Sequence, residues 1–107
     1  MVATGAWVGL TEGNIRNNHI YLRNLLSHFP SSSIGGSNAA TASPDLLTVT
    51  FIPGSTVRTD IDGDKLFLRA RKQVGEFFAL SGAQPGDRVV IERQADKSFN
   101  FRLLRVK

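Results

Sequence analysis

The residues with the most chemical potential in this chain lie in the stretch Arg58 to Arg71, RTDIDGDKLFLRAR, where Asp60, Asp62 and Asp64 alternate ahead of Lys65. Alternating carboxylates invite a metal ion. A calcium loop, however, needs a glycine directly after its third acid and a bidentate glutamate to close it, and Lys65 and Arg71 occupy those two places. A magnesium-dependent nuclease site of the restriction type needs an acid, then an acid and a lysine one residue apart. Here Gly63-Asp64-Lys65 puts glycine where the second acid belongs. His19 and His28 have no cysteine nearby and no carboxylate at the spacing of a zinc site or a triad. The chain is therefore expected to be non-catalytic, with no metal and no cofactor.

The same residue types suit a different task. Arg presents a bidentate fork to guanine and Asn to adenine, while Asp accepts from cytosine. Such residues gather in two places. The first is Thr11 to Arg23, which holds Asn14, Arg16, Asn17, Asn18, His19, Tyr21 and Arg23; the second is the polar side of the opening stretch, with Arg58, Asp60, Asp62, Lys65, Arg69 and Arg71. Both are short and flanked by apolar residues, as side chains presented from a rigid scaffold require. The blander alternative is that both are solvated surface, with Asp60 and Lys65 forming a cross-strand pair worth a few tenths of a kcal/mol. Residue types alone leave the two open.

The elements that must position these groups follow from turn and period signals. Asp62-Gly63 predicts a two-residue hairpin turn, which sets Asp60 opposite Lys65, Arg58 opposite Phe67 and Thr56 opposite Arg69. Val57, Thr59, Ile61, Leu66, Leu68 and Ala70 then share the face that packs on a core. Earlier in the chain, Ala6 to Leu10 reads as a first strand with Trp7 buried or at a rim, Thr11 to Asn18 as loop, and His19 to Leu22 as a short strand. Leu22, Leu25, Leu26 and Phe29 recur at helical spacing up to Pro30. Residues 31–45 form a long Ser, Ala and Gly segment, and Gly35-Gly36 lacks the Lys-Ser or Lys-Thr of a phosphate loop.

Leu46 to Ile52 alternates as a strand with Leu47, Val49 and Phe51 inward, ahead of a Pro53-Gly54 turn. Val74, Phe77 and Phe78 mark a helix closed by Gly82. Pro85-Gly86-Asp87 is a turn, and Val89 to Ile91 and Phe99 to Leu103 are strands joined through Ala95 to Ser98. Strands in runs argue against a doubly wound sheet. The expected fold is mainly β, of the α+β class: a seven-stranded, mostly antiparallel open pseudobarrel with two short helices.

With 107 residues, the chain is expected to form one domain over residues 1–107. Thirteen Lys and Arg face nine Asp and Glu, a net charge of +4, and the surplus is uneven: from Arg58 onward eleven bases stand against seven acids. A local basic excess fits a polyanionic partner without requiring one. There is no cysteine and no apolar run of the roughly 20 residues that a membrane helix needs, so neither disulfides nor a membrane is expected.

The runs GEFF, SGAQPGDRVVIER and FNFRLL resemble the DNA-binding pseudobarrel of plant B-three transcription factors. GLTEGNIRNNHIYLRNLLSHFPSSSIGG is similar instead to the same fold in restriction endonucleases of the EcoRII, BfiI and NgoAVII kinds, the last being nearest. This resemblance implies a bacterial, cytoplasmic recognition domain that clamps double-stranded DNA between two arms in the major groove, with the nuclease on another segment. By position, the arms fall on Thr11 to Arg23 and Arg58 to Arg69, the two places already singled out. The chain departs from the plant pattern in having no tryptophan before its second helix, so no base preference carries over.

On this reading Asn14, Arg16, Asn17, Asn18, Arg58, Asp60, Asp62 and Lys65 meet base edges. Arg23, Arg69, Arg71, Tyr21, His19, Ser31, Ser32 and Ser33 meet phosphates. The rival expectation is a protein-interaction barrel with an acidic partner.

Overall fold

The computed structural model describes residues 5–36 and 41–106, so residues 37–40 of the long Ser, Ala and Gly segment lie outside it. The described residues hold seven strands: β1 (Gly5–Gly9), β2 (Ile34–Gly35), β3 (Leu47–Ile52), β4 (Thr56–Thr59), β5 (Ile61–Asp62), β6 (Arg88–Ala95) and β7 (Ser98–Leu104). They are accompanied by the helices α1 (Glu12–Asn17) and α2 (Arg71–Ser81) and by 3-10 turns at Arg23–His28 and Ser31–Ser33.

Five strands form one sheet in the order β1-β6-β7-β3-β4, and β2 pairs with β5 separately. The pairs β1/β6, β6/β7 and β3/β4 are antiparallel, while β3/β7 and β2/β5 are parallel. The large sheet is not closed, because β1 and β4 stand at its two edges. The α+β class and the mostly antiparallel pairing are as expected; the sheet itself is an open one with a small parallel pair beside it.

Alternation places the core. In β3, Leu47, Val49 and Phe51 are buried while Thr48 and Thr50 are not, and β7 turns Phe99 and Phe101 to the same side. The helix α2 supplies Val74, Phe77 and Phe78 and ends at Gly82 in the left-handed conformation. Phe51 touches the rings of both Phe77 and Phe101, with centroids 5.3 and 5.6 Å apart. Each such aromatic contributes about 1.5–3 kcal/mol on full burial. In the Pro85-Gly86-Asp87 turn, the buried Asp87 carboxylate accepts from the backbone N–H of Gln84 (2.9 Å) and of Val106 (3.2 Å). This ties the turn before β6 to the chain after β7.

Three local expectations are corrected. Thr11 to Asn18 is not a loop: Glu12–Asn17 is helical because Thr11 and Asn14 form a reciprocal capping box, and Asn18 closes the helix at φ 58°. His19 to Leu22 makes a single bridge, Tyr21 to Phe67, rather than a strand. The Asp62-Gly63 turn spans more than two residues. Asp62 oxygen Oδ1 accepts from the N–H groups of Asp64 (2.9 Å) and Lys65 (3.0 Å), and Leu66 takes φ 63° to bring the chain back. Ile61 consequently pairs with Leu68, and Arg69 N–H donates to the Asp60 carbonyl at 3.1 Å. The register slips by an even number, so Ile61 and Leu68 keep the core face, but Asp60 meets Arg69 instead of Lys65.

Candidate nucleic-acid interface

The segments after the two edge strands converge. The first leaves β1 through α1, the second leaves β4 through β5, and they meet where Leu22 N–H donates to the Leu66 carbonyl (2.7 Å) and Leu68 N–H to the Ile20 carbonyl (3.4 Å). At this seam the His19 ring stacks on Phe67 with centroids 4.3 Å apart, and Tyr21 meets Phe67 edge-on at 5.6 Å. The Tyr21 hydroxyl lies 3.1 Å from His19 Nδ1. Arg71 reaches across the seam from α2, donating to the Asn17 carbonyl at 3.0 Å with its guanidinium 5.9 Å from the Phe67 ring centre. The two arms therefore form one joined platform. Partial burial, together with the charges of Arg71 and Lys65, holds His19 below its ordinary value of 6.5 and so favours the neutral ring.

Several of the expected contact residues belong to the frame that holds this platform. Asp60 is 1% exposed; its carboxylate accepts from Arg69 Nε (2.6 Å) and Nη2 (3.1 Å) and from the backbone N–H of Ser43 (2.8 Å). Arg69 also donates to the Gly36 carbonyl at 2.6 Å. The pair knits β5 to the Ser, Ala and Gly segment. It also explains Gly35, where a Cβ would sit 2.3 Å from Asp60 Oδ2. Asp62 is likewise buried. Burial pushes its carboxyl up, but the N–H groups of Lys65 and Asp64 and the charges of Arg69 and Lys65 outweigh this and leave it below 3.8.

Both oxygens of Asp60 are taken up inside the fold, Asp62 is buried with Oδ2 3.9 Å from the Arg69 guanidinium, and Arg69 is turned to these acids instead of outward to a phosphate. Asn14 is used by the capping box. Asn18 lies against Gly75 of α2, where a Cβ would come within 2.7 Å of its amide nitrogen. Ser33 is fully buried, and its hydroxyl has no hydrogen-bond partner among the described residues. Ser32 is exposed but donates to Asp45, which also binds Lys97. Ser31 is exposed.

Among the described residues Glu12, Asp64, Lys72 and Arg105 are exposed and outside any ion pair, and so are cations on both arms. Arg16, Arg23, Arg58 and Lys65 are exposed and make no ion pair among the described residues, whereas Arg69, Arg93, Lys97 and Arg102 are each matched to an acid. Arg71 is exposed and bonded only to a neutral carbonyl, and Asn17 is exposed beside it. Arg16 and Asn17 stand on α1 and Lys65 on the turn after β5. Arg23 follows the seam, and Arg58 projects from the β4 edge.

The overall architecture of this chain resembles a known one. It superposes on the N-terminal domain of Helicobacter pylori LlaJI.R1 with a TM-score of 0.58, covering 95% of this chain and 88% of that one at 8% sequence identity. At that identity the likeness is one of fold alone. No family model matches the chain, and no curated protein matches its sequence. No group of three or more His, Cys, Asp or Glu able to hold a metal ion occurs among the described residues, and no helix there is long and apolar enough to cross a membrane.

Of the two places expected for Trp7, buried or at a rim, the structure excludes the first. Trp7 is 53% exposed on the edge strand β1, with the Arg88 guanidinium 3.9 Å from its ring centre. The signal was available: Trp7 alternates with Val8 and Leu10 in a strand where Gly9 leaves the outer side open.

Proposed function

We propose that this chain is a double-stranded DNA-recognition domain of a restriction system, reading sequence in the major groove with the ends of its two joined arms and leaving cleavage to another segment of its parent protein. The observation that carries this reading is the set of exposed, unmatched cations spread over both arms, on a platform whose internal charges are already satisfied. Exposed cations without acid partners supply the attraction to phosphate on which duplex binding rests. The fold likeness to a restriction-system domain supports the same direction.

In this reading Arg16, Asn17, Arg58 and Lys65 face base edges, and Arg23, Arg71 and the exposed Ser31 face phosphates, while the Ser32 hydroxyl stays on Asp45. His19 and Tyr21 sit at the seam between the arms, where phosphate approach would offset the Arg71 and Lys65 charges. Asp60, Asp62, Arg69, Asn14, Asn18 and Ser33 position the platform instead of touching DNA. Titration against specific and random duplexes tests the division: Arg58→Ala is expected to cost about 1–3 kcal/mol and relax one base position, and Arg23→Ala to weaken all duplexes alike.

A protein-interaction role is the second reading, favoured by the exposed Trp7, Ile52 and Leu104 on the outer side of the open sheet. It predicts binding to an acidic protein with no preference among duplexes.

A further inference from the structure

A cavity of about 530 Å³ opens beside the β1 edge, lined by Trp7, Val8, Gly9, Tyr21, Arg23, Asn24 and Leu25. Its size falls within the roughly 300–1,000 Å³ of small-molecule sites. Its lining carries one cation and no carboxylate, and Arg23 has no acidic partner among the described residues. Such a mouth suits an anionic ligand. Two of its walls are aromatic, and both are held in place: Arg88 lies over one side of the Trp7 ring, which stays 53% exposed, and Tyr21 is fixed by His19 Nδ1 and by the edge of the Phe67 ring. Asn24 is exposed and adds an amide that both donates and accepts. The strand order puts β1 at the edge of the sheet, so along this side it has no strand partner among the described residues.

A planar apolar face, an amide fork and a free guanidinium match the three parts of a nucleotide: the π face of the base, its hydrogen-bonding edge, and its phosphate. The geometry points to this cavity as a binding site for a single unstacked nucleobase carrying a phosphate, stacked on Trp7, with Asn24 on the base edge and Arg23 on the phosphate. Two sources share this chemistry: a free or single-stranded nucleotide, and a base that has left a duplex. Tyr21 belongs to both the cavity and the aromatic seam, which puts the second source within reach of a duplex lying on the platform. Only that second source rests on the DNA-binding reading.

Trp7 is the single tryptophan of the chain and lines this cavity, so its fluorescence responds to a ligand bound there. The whole chain is titrated with nucleoside monophosphates, single-stranded oligonucleotides, a fully paired duplex, the same duplex with one unpaired base, and ribose 5-phosphate as a base-free control. Duplex binding is followed in parallel by anisotropy of a labelled strand. Saturable quenching by monophosphates or single strands supports the site with a free source. Quenching by the duplex with the unpaired base, well beyond that by the paired duplex, supports an extruded source.

In either case Asn24→Ala and Arg23→Ala weaken the titration. Trp7→Leu, followed by calorimetry, weakens binding of the base by roughly 5- to 150-fold, the effect of losing one stacked base. Equal quenching by ribose 5-phosphate, equal quenching by paired and unpaired duplexes with none from monophosphates or single strands, or no quenching by any ligand overturns the proposal. Duplex binding that persists while Trp7 stays silent removes this site and leaves the DNA-binding reading standing; the converse result separates them the other way.

Discussion

Asp60→Ala is the sharpest probe of how the platform is held. In the native chain the Asp60 carboxylate takes two hydrogen bonds from Arg69 and one from Ser43, and its side chain is 2% exposed against 19% for Arg69. Removing one partner of a buried pair costs about 3–5 kcal/mol, because the other charge stays desolvated and unmatched. Arg69 keeps a fifth of its surface and its bond to the Gly36 carbonyl, which allows partial rehydration, so a loss near the lower limit, about 3 kcal/mol, is expected.

Against a total stability of about 5–15 kcal/mol this is a large fraction. At about 4–8 °C per kcal/mol for a small domain, it lowers Tm by roughly 12–24 °C. Thermal and urea denaturation followed by circular dichroism measure it. The double change Asp60→Ala with Arg69→Met removes the orphaned charge and is expected to be more stable than Asp60→Ala alone. If Asp60→Ala shifts Tm by less than about 2 °C and instead alters which duplex is preferred, Asp60 is a base reader and the positioning role is wrong.

Other perturbations test the remaining parts. Gly75→Ala drives a Cβ into the Asn18 amide and is expected to cost about 1–3 kcal/mol in urea denaturation, with recovery in Gly75→Ala/Asn18→Gly because glycine accepts the left-handed cap at Asn18. Asp62 has a folded value below 3.8, so its contribution is complete above that pH and is lost as pH falls through the lower folded value; acid denaturation of Asp62→Asn should lack that part of the decline. His19 titrates below 6.5 in the free protein, and NMR of its ring should show the value rising when duplex DNA is added, since phosphates offset Arg71 and Lys65. An unchanged His19 titration on binding would place the duplex away from the seam. Arg23→Ala should flatten the dependence of log affinity on log salt by about 1 for a lost phosphate contact.

The parts of the fold legible in the sequence were those set by local rules. The alternation of Leu47, Val49 and Phe51, the Val74, Phe77 and Phe78 face closed by Gly82, and the turn at Pro85-Gly86-Asp87 each carry their instruction within a few residues. The helix α1 was hidden because Gly13 and its asparagines resemble loop composition, although Thr11 and Asn14 stand at capping-box spacing. The turn after Asp62 escaped because a side chain, not the Asp-Gly pair, sets its length, and because Leu66 adopts a conformation that leucine rarely takes.

For the candidate site, sequence singled out the two segments that converge at the seam but misjudged their interior. Alternation in a charged stretch suggested that Asp60 and Arg69 faced water. Their burial depends on Gly36 and Ser43, distant in sequence and brought close only by the β2/β5 pair. The seam that joins the arms, Tyr21 against Phe67, is equally non-local.

The central claim is that the open cations of the two arms read duplex DNA. Selection of bound duplexes from a random pool, followed by salt titration of the enriched sequence, tests it most directly. The account predicts one enriched motif and an affinity that falls with salt by about 0.9 log unit per log unit for each phosphate contacted. It also predicts loss of the motif in Arg16→Ala and Arg58→Ala at unchanged Tm. A pool that returns no motif, with binding insensitive to salt, contradicts it.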